Sequence, residues 1–461
     1  MIRIRIRPFE PGHPVPSLRG VHLGDSELPF VEDDIARIKQ EVGATCIRFG
    51  VEPLWLTDEQ GTQWKDDGFA YVRRVLDWCA AHGMYCIVDL HNAPGRLRGG
   101  DPRLWTEKHF QQRFVALWGE ITRRLSDHPA VIAWELLNEP EPPNDDTETW
   151  NTLAARAVDA VRRTDRRRAV IVDSIAYARP AFVPCLQTVV ENAASEGTLV
   201  FSFHNYQPTP YHRQKRRELE DQSTYYYPGF IPLRPPNQPQ DFRENQNHSV
   251  DGRFWNRQQL LDQMRPALQL GVSDEIPVLC GEFGCVSDVP AGTDAMYLLD
   301  QISIFHEYGV GWTMYNAMWR TTDPYWKDHF DCCLYVDYAP EGLLRRNRRK
   351  ISLLEMVCRA EGETLRLHQP QDQMLGVMGV RRPDSSCLVL LWNKDRQSAK
   401  RVSLDWQDVD PGHRLVLRTM GPADETFVYR GAPVVGADGA AVDLPPLTVA
   451  AVTCPPLELW T

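Results

Sequence analysis

No stretch of this chain stays apolar for long. No run approaches the roughly 20 residues that a helix needs to cross a bilayer, so no membrane span is expected. Positive charge is outweighed: 51 Lys and Arg stand against 62 Asp and Glu, a formal net charge of −11. That balance argues against a nucleic-acid partner, which requires a basic face. One local basic run exists, Arg345, Arg346, Arg348, Arg349 and Lys350, and reads as a solvated loop or the start of a helix. A glycine-rich phosphate loop is missing after every early strand-like segment, which weakens a doubly wound nucleotide-binding sheet. The 11 cysteines are odd in number, and the adjacent Cys332 and Cys333 lack zinc-site spacing. Cys46, Cys86, Cys280, Cys387 and Cys454 lie inside apolar runs, where reduced thiols behave as small hydrophobes. No structural metal is expected from cysteine. A continuous apolar leader is also missing: Met1 to Arg7 alternates apolar and basic residues, a strand pattern, so a cytoplasmic location is expected.

What remains is an ordinary soluble composition, 43% hydrophobic and 25% charged, in 461 residues. That length accommodates one large domain and a smaller one. Eight apolar strand-like runs alternate with helical ones: Arg19 to Leu23, Ala44 to Phe49, Tyr85 to Leu90, Val131 to Leu136, Ala169 to Asp173, Leu199 to Phe203, Pro277 to Cys280 and Val310 to Tyr315. They show little strict alternation, as parallel strands buried on both faces should. Helical periodicity appears over Val31 to Val42, Phe69 to Ala81, Glu107 to Leu125, Trp150 to Val161, Gln258 to Leu270 and Tyr297 to Tyr308. The order predicts an α/β fold, a (β/α)8 barrel, over residues 1–360.

Two connections are long. Gln207 to Trp255 contains Tyr225-Tyr226-Tyr227-Pro228-Gly229 and the proline-rich Leu233-Arg234-Pro235-Pro236-Asn237; Met318 to Lys350 contains Trp319, Tyr325, Trp326 and Phe330. Each follows a strand, so each is expected to overhang the barrel face where active sites form. Beyond about residue 362 the helical period disappears. Ser386 to Trp392, Arg401 to Leu404, Arg414 to Arg418 and Leu447 to Cys454 read as short strands, which predicts a small antiparallel β-sandwich over 362–461. The first strand, Ile2 to Ile6, is expected either to join that sandwich or to cap the barrel floor.

The residues with chemistry stand at the ends of the proposed barrel strands: Arg48, His91 and Asn92, Asn138 and Glu139, His204 and Tyr206, Glu282, and Tyr315. A single histidine or glutamate at such a position is commonly a scaffold residue. Their concentration at one end of one barrel points to an active site. Glu139 and Glu282 each sit where an apolar strand gives way to a turn, and a carboxylate there is costly without a task or a partner. Paired carboxylates are the machinery of glycosidic bond cleavage, one protonated and one ionised. Tyr206 and Arg48 are placed to hold Glu282 as the anion, and Asn138 to donate to a sugar 2-hydroxyl.

These segments resemble glycoside hydrolase family 5, the cellulase family. The similarity runs through Leu18-Arg19-Gly20-Val21-His22-Leu23-Gly24, Cys46-Ile47-Arg48-Phe49, Asp89-Leu90-His91-Asn92-Ala93-Pro94-Gly95, Leu137-Asn138-Glu139-Pro140, Phe203-His204-Asn205-Tyr206, Gly281-Glu282-Phe283-Gly284 and Gly311-Trp312-Thr313-Met314-Tyr315, roughly residues 17 to 320. The resemblance implies a retaining β-glycosidase acting on β-linked gluco- or manno-configured oligo- or polysaccharides. It implies Glu139 as acid/base, Glu282 as nucleophile, and Arg48, His91, Asn138, His204 and Tyr206 around the attacked sugar. It also implies no metal and no cofactor, with carboxyl groups about 5 Å apart. The sequence departs from the family at His22, where Asn is commoner, at Asn92, where Gly is commoner, and at Tyr315, where a Trp platform is usual. Trp319 is the possible substitute for that platform, and Trp55, Trp105, Tyr325 and Trp326 are further stacking candidates. Two alternatives stay open at the level of sequence. One is a metal-dependent barrel enzyme with His91, Glu139, His204 and Glu282 as ligands. The other is a sugar-binding protein without catalysis. Oligomeric state is not legible.

Overall fold

The computed structural model describes residues 1–7, 14–97, 101–194, 197–215, 222–232, 252–273, 276–327, 329–407, 409 and 411–455. Eight parallel strands close into a barrel: Arg19–Leu23, Cys46–Val51, Tyr85–Leu90, Val131–Glu135, Ala169–Asp173, Leu199–Asn205, Val278–Phe283 and Gly311–Met314. Each is one of the eight runs predicted from sequence; three coincide at both ends, and the others differ by at most three residues. The helices between them bury apolar stripes against the strands. Thr147–Arg162, for example, buries Trp150, Leu153, Ala154, Ala157, Val158 and Val161 and is capped by Asp146, whose side chain accepts from the backbone of Glu148 and Thr149. The segment predicted as one helix over Val31 to Val42 changes pitch. It is α-helical over Glu32–Arg37, then a π-turn over Ile38–Val42 that ends at Gly43 with φ 74°, a left-handed backbone that favours glycine.

Two sheets follow the barrel. One has six strands, with Leu375–Arg381, Cys387–Asn393, Thr448–Cys454 and Val416–Met420 at its centre. The other contains Lys400–Trp406 and Ala440–Leu444, and its third strand is Ile2–Ile6 from the far end of the chain. The division at residues 1–360 and 362–461 is therefore corrected at its start, because the first strand belongs with the C-terminal sheets. It also pairs parallel to Lys400–Trp406, Ile2 opposite Val402 and Ile6 opposite Trp406, so the sandwich is antiparallel except for this one ladder.

The six-stranded sheet is buried on both faces. Val377, Val389, Leu391, Ala450 and Val452 meet Ile4, Ile6, Val402 and Leu404 in the sandwich core. Met378, Val380, Leu388, Leu390, Trp392 and Val449 point the other way and join the core cluster of the barrel. The unbroken apolar run of Cys387–Asn393 follows from that double burial. At the seam, Asp300 of the helix Thr293–Tyr308 is fully buried. It accepts from Tyr227 Oη at 2.6 Å, Trp392 Nε1 at 2.8 Å and Lys394 Nζ at 3.0 and 3.1 Å.

The stretch Met318 to Lys350 is not an unstructured loop. Met318–Thr321, Tyr335–Tyr338 and Leu343–Arg346 form a three-stranded sheet that holds Trp319 in its first strand and Arg345 and Arg346 in its last. Asn347 then caps the helix Arg348–Cys358. The basic run is a set of separate ties: Arg345 to Lys327 O, Arg346 to Glu41, Arg349 to Asp294 and Gly421 O, and the buried Lys350 to Cys285 O. In the other long connection, Gly229–Ile231 pairs with Arg253–Trp255, whereas Leu233 to Asn237 lies outside the described residues. All 11 cysteines are free thiols, and only Cys185 among them is exposed.

Candidate active site

The C-terminal ends of the barrel strands converge on Arg48. Its guanidinium is completely buried and donates to Glu135 at 2.8 and 2.9 Å, Glu282 Oε1 at 2.6 Å and Asn138 Oδ1 at 2.9 Å, with Asp89 at 3.2 Å. Strand register makes these neighbours: Asp89 pairs with Glu135 and Glu282 with His204 across adjacent strands. Burial alone would lower the Arg48 pKa, but Asp89, Glu135 and Glu282 outweigh it and raise it well above its ordinary value. One fixed cation thus anchors three carboxylates.

Glu282 has both oxygens occupied, since Tyr206 Oη donates to Oε2 at 2.8 Å opposite the Arg48 contact. Those two donors hold its carboxyl group from both sides. Glu139 is placed differently. Its Oε1 lies 2.8 Å from His204 Nδ1, and its side chain keeps 23% exposure at the mouth. Desolvation raises its pKa above the ordinary 4.5, against the opposing pull of His91, Arg96 and Arg48. Burial likewise lowers His204 to about 4, so its imidazole is neutral. One oxygen of Glu139, one of Glu282 and a nitrogen of His204 all lie within 4.8 Å of one another. That spacing suits direct attack by one carboxylate and proton delivery by the other, without a water between them.

The backbone of Glu139 is strained, with φ at 45°. It is clamped on both sides: its N–H donates to Asp173 Oδ2 at 3.1 Å, and Arg96 Nη2 donates to its carbonyl at 2.6 Å. His91 stands behind Asn138, its Nδ1 2.8 Å from Asp89 Oδ2 and its Nε2 3.4 Å from Asn138 Nδ2. Burial would lower His91, but Asp89 raises it to about 9. Asn92 reaches outward to Glu52, with both carboxylate oxygens about the same distance away, 3.0 and 3.1 Å. Tyr315 stacks on His22 at 5.3 Å and donates to Asp25 Oδ2 at 3.1 Å, so the departures at positions 22 and 315 are one unit. His22 Nδ1 in turn lies 3.0 Å from Arg48.

Nine of the ten residues singled out from sequence, Arg48, His91, Asn92, Asn138, Glu139, His204, Tyr206, Glu282 and Tyr315, share this rim or touch residues that do. Trp319 lies on the added sheet, its half-buried ring 5.2 Å from Trp326, with Tyr325 and His329 stacked beyond. Trp55 and Trp105 are packing residues, against Phe49 and Tyr71 and against Trp150. The four-ligand metal set does not converge as proposed: Glu139, His204 and Glu282 cluster, whereas His91 groups with His22 and Asp25. Sequence reasoning missed Asp25, Asp89, Glu135 and Asp173. Asp89, Glu135 and Asp173 each carried a visible signal, an acid inside an otherwise apolar strand.

A closed parallel barrel with two carboxylates at this spacing defines an O-glycosyl hydrolase of the retaining type. The chain belongs to glycosyl hydrolase family 5, the cellulase family, whose model matches residues 10–320. It is 27% identical to endoglucanase C of Acetivibrio thermocellus over 295 residues, 62% of this chain and 83% of that protein. It is 26% identical to cellodextrinase A of Ruminococcus flavefaciens over 188 residues, 40% of this chain and 53% of that protein. A family 30 endoxylanase from Clostridium papyrosolvens shares the fold with a TM-score of 0.59 at 10% identity, covering 98% of this chain and all of that one. The fold likeness therefore includes the C-terminal sheets.

Proposed function

We propose that this hydrolase cleaves β-linked glucose chains, with Glu282 as nucleophile and Glu139 as acid/base. The observation that carries the roles is the asymmetry of the pair. Glu282 takes two strong donors, and Glu139 takes a neutral imidazole and a desolvating wall. In the first step a Glu282 oxygen bonds to the anomeric carbon while the bond to the leaving oxygen breaks, and Glu139 passes its proton to that oxygen. In the second, ionised Glu139 takes a proton from water as the water oxygen displaces Glu282 from the sugar. Anomeric configuration is retained through two inversions. Asn138, held by Arg48 through its Oδ1, has its amide N–H left to donate toward the sugar.

The gluco preference draws on the names of two relatives, an endoglucanase and a cellodextrinase. Trp319, on the sheet that follows the eighth barrel strand, and Tyr325 and Trp326, in the short turn Pro324–Lys327 beside it, are the candidates to stack on sugars beyond the attacked one. The test is NMR of the products as they form from a defined cello-oligosaccharide. A β-anomer appearing first supports the reading, and an α-anomer appearing first overturns it. Turnover of manno-oligosaccharides with cello-oligosaccharides left intact would overturn the sugar assignment alone.

A further inference from the structure

Asp173 ends the fifth barrel strand, is fully buried and has no place in the chemistry above. Three neighbours define its state. Its Oδ2 accepts from the Glu139 N–H at 3.1 Å. Its carboxyl interacts with that of the neighbouring Glu135, and its Oδ1 receives no donor among the described residues. His204 Nε2 faces its Oδ2 at 3.5 Å. Two carboxyl groups in contact need a proton on one of them. Both Glu135 oxygens already accept from Arg48, so the proton falls to Asp173. Burial and the Glu135 charge raise Asp173 well above its ordinary value in the same direction, while the Arg48 charge and the Ser202 hydroxyl oppose them.

We infer that neutral Asp173 is a positioning residue: by presenting Oδ2 to His204 Nε2 it keeps the imidazole proton on that nitrogen, which makes Nδ1 an acceptor and holds the exchangeable proton on Glu139. This rests on the acid/base reading of Glu139. The geometry leaves little freedom. A neutral imidazole has one N–H. On Nε2 it points toward Asp173 Oδ2, 3.5 Å away, and Nδ1 then receives Oε1–H of Glu139 across 2.8 Å. On Nδ1 it would instead favour ionised Glu139, the wrong form for the first step. The same Asp173 oxygen also anchors the strained Glu139 backbone, so one carboxyl sets both the position and the protonation of the acid. Gly281 keeps this pocket open: a Cβ there would lie 2.8 Å from Ser202 Oγ and 2.9 Å from His204 Nε2. The charged and titratable groups around the pair are Glu135, Arg48, Glu139, Glu282 and His91, and Glu282 Oε2 is the second carboxylate facing Nδ1, at 3.7 Å.

The test compares Asp173→Asn with Asp173→Ala in the full chain. Asparagine reproduces the neutral acid: one amide face donates to Glu135 and the other accepts from His204 and Glu139. It is expected to leave the alkaline limb of the kcat/KM profile in place. Alanine frees the tautomer and is expected to move that limb down by on the order of one pH unit, with about tenfold loss on poor leaving groups at the upper limb and none on dinitrophenyl glycosides. Asp173→Asn shifting the limb as far as alanine, or neither variant shifting it, overturns the inference. Imidazole 15N shifts of His204 in the unaltered protein give a readout independent of any variant's folding. Protonated Nε2 supports the assignment, and protonated Nδ1 overturns it. Glu139→Gln separates this from the acid/base reading: leaving-group dependence in that variant alongside an unmoved limb in Asp173→Ala sinks the inference and spares the reading.

Discussion

Two buried charge clusters in this molecule are built to opposite specifications. At the seam between barrel and sandwich, Asp300 is fully buried and both its oxygens are filled by Tyr227, Trp392 and Lys394. At the barrel mouth, Arg48 faces Asp89, Glu135 and Glu282, and His91 adds a second contact to Asp89. Among the described residues, Asp89 Oδ1 and Asp173 Oδ1 have no hydrogen-bond partner, and His204 Nε2 has only the long 3.5 Å approach of Asp173 Oδ2. The seam is matched cation for anion and sealed by apolar neighbours, so its charges hold two domains in register. The mouth carries more carboxyl groups than its cations can neutralise, so protons must make up the difference. A site that has to move a proton between two carboxylates requires that deficit.

The largest expected effect follows from removing the proposed nucleophile of the mouth. Glu282→Ala should lower kcat by on the order of 10⁴-fold or more, as loss of a nucleophile does elsewhere, with circular dichroism unchanged. Substantial retained turnover would break the comparison outright. Glu139→Gln should cost about 10²–10⁴-fold on unactivated glycosides and spare the first step on activated aryl substrates, which need little protonation. The sign of the pH effect is fixed by the raised Glu139 pKa. The acid form persists above the ordinary 4.5, so the alkaline limb of kcat/KM lies above that value and should vanish in Glu139→Gln. Equal losses on both substrate types would argue that Glu139 is not the acid.

At the seam the expected loss is in stability. Lys394→Met leaves Asp300 without its cation, an uncompensated buried charge that costs about 3–5 kcal/mol. Denaturant unfolding should register that cost, while kcat per folded molecule stays at the unaltered value. A fall in kcat at unchanged stability would mean the two clusters are coupled. The smallest effect is expected from Tyr206→Phe, which takes one donor from Glu282. A hydrogen bond to a charged group contributes about 1.5–3 kcal/mol, so kcat should drop roughly 10- to 100-fold with the folded state intact.

Much of this was readable before any coordinates. Eight apolar runs separated by helical periods specify a parallel barrel because strands buried on both faces carry their apolar character locally. The strand-end positions of Arg48, His91, Asn138, Glu139, His204, Tyr206 and Glu282 are likewise local, and so is their resemblance to one family. Long-range pairing was not readable. Nothing in Ile2–Ile6 says that its partner lies some 400 positions away in Lys400–Trp406, since a strand's sequence records its two faces and not its neighbour. For the same reason Met318 to Lys350 read as a loop, although its three short strands find each other in space. Glu135 and Asp173 show in the sequence only as acids in otherwise apolar strands, with nothing to say what each would face. Only closure of the barrel put them in contact, gave Arg48 to one and left the proton with the other, because the charge a buried carboxyl carries is decided by the groups packed around it.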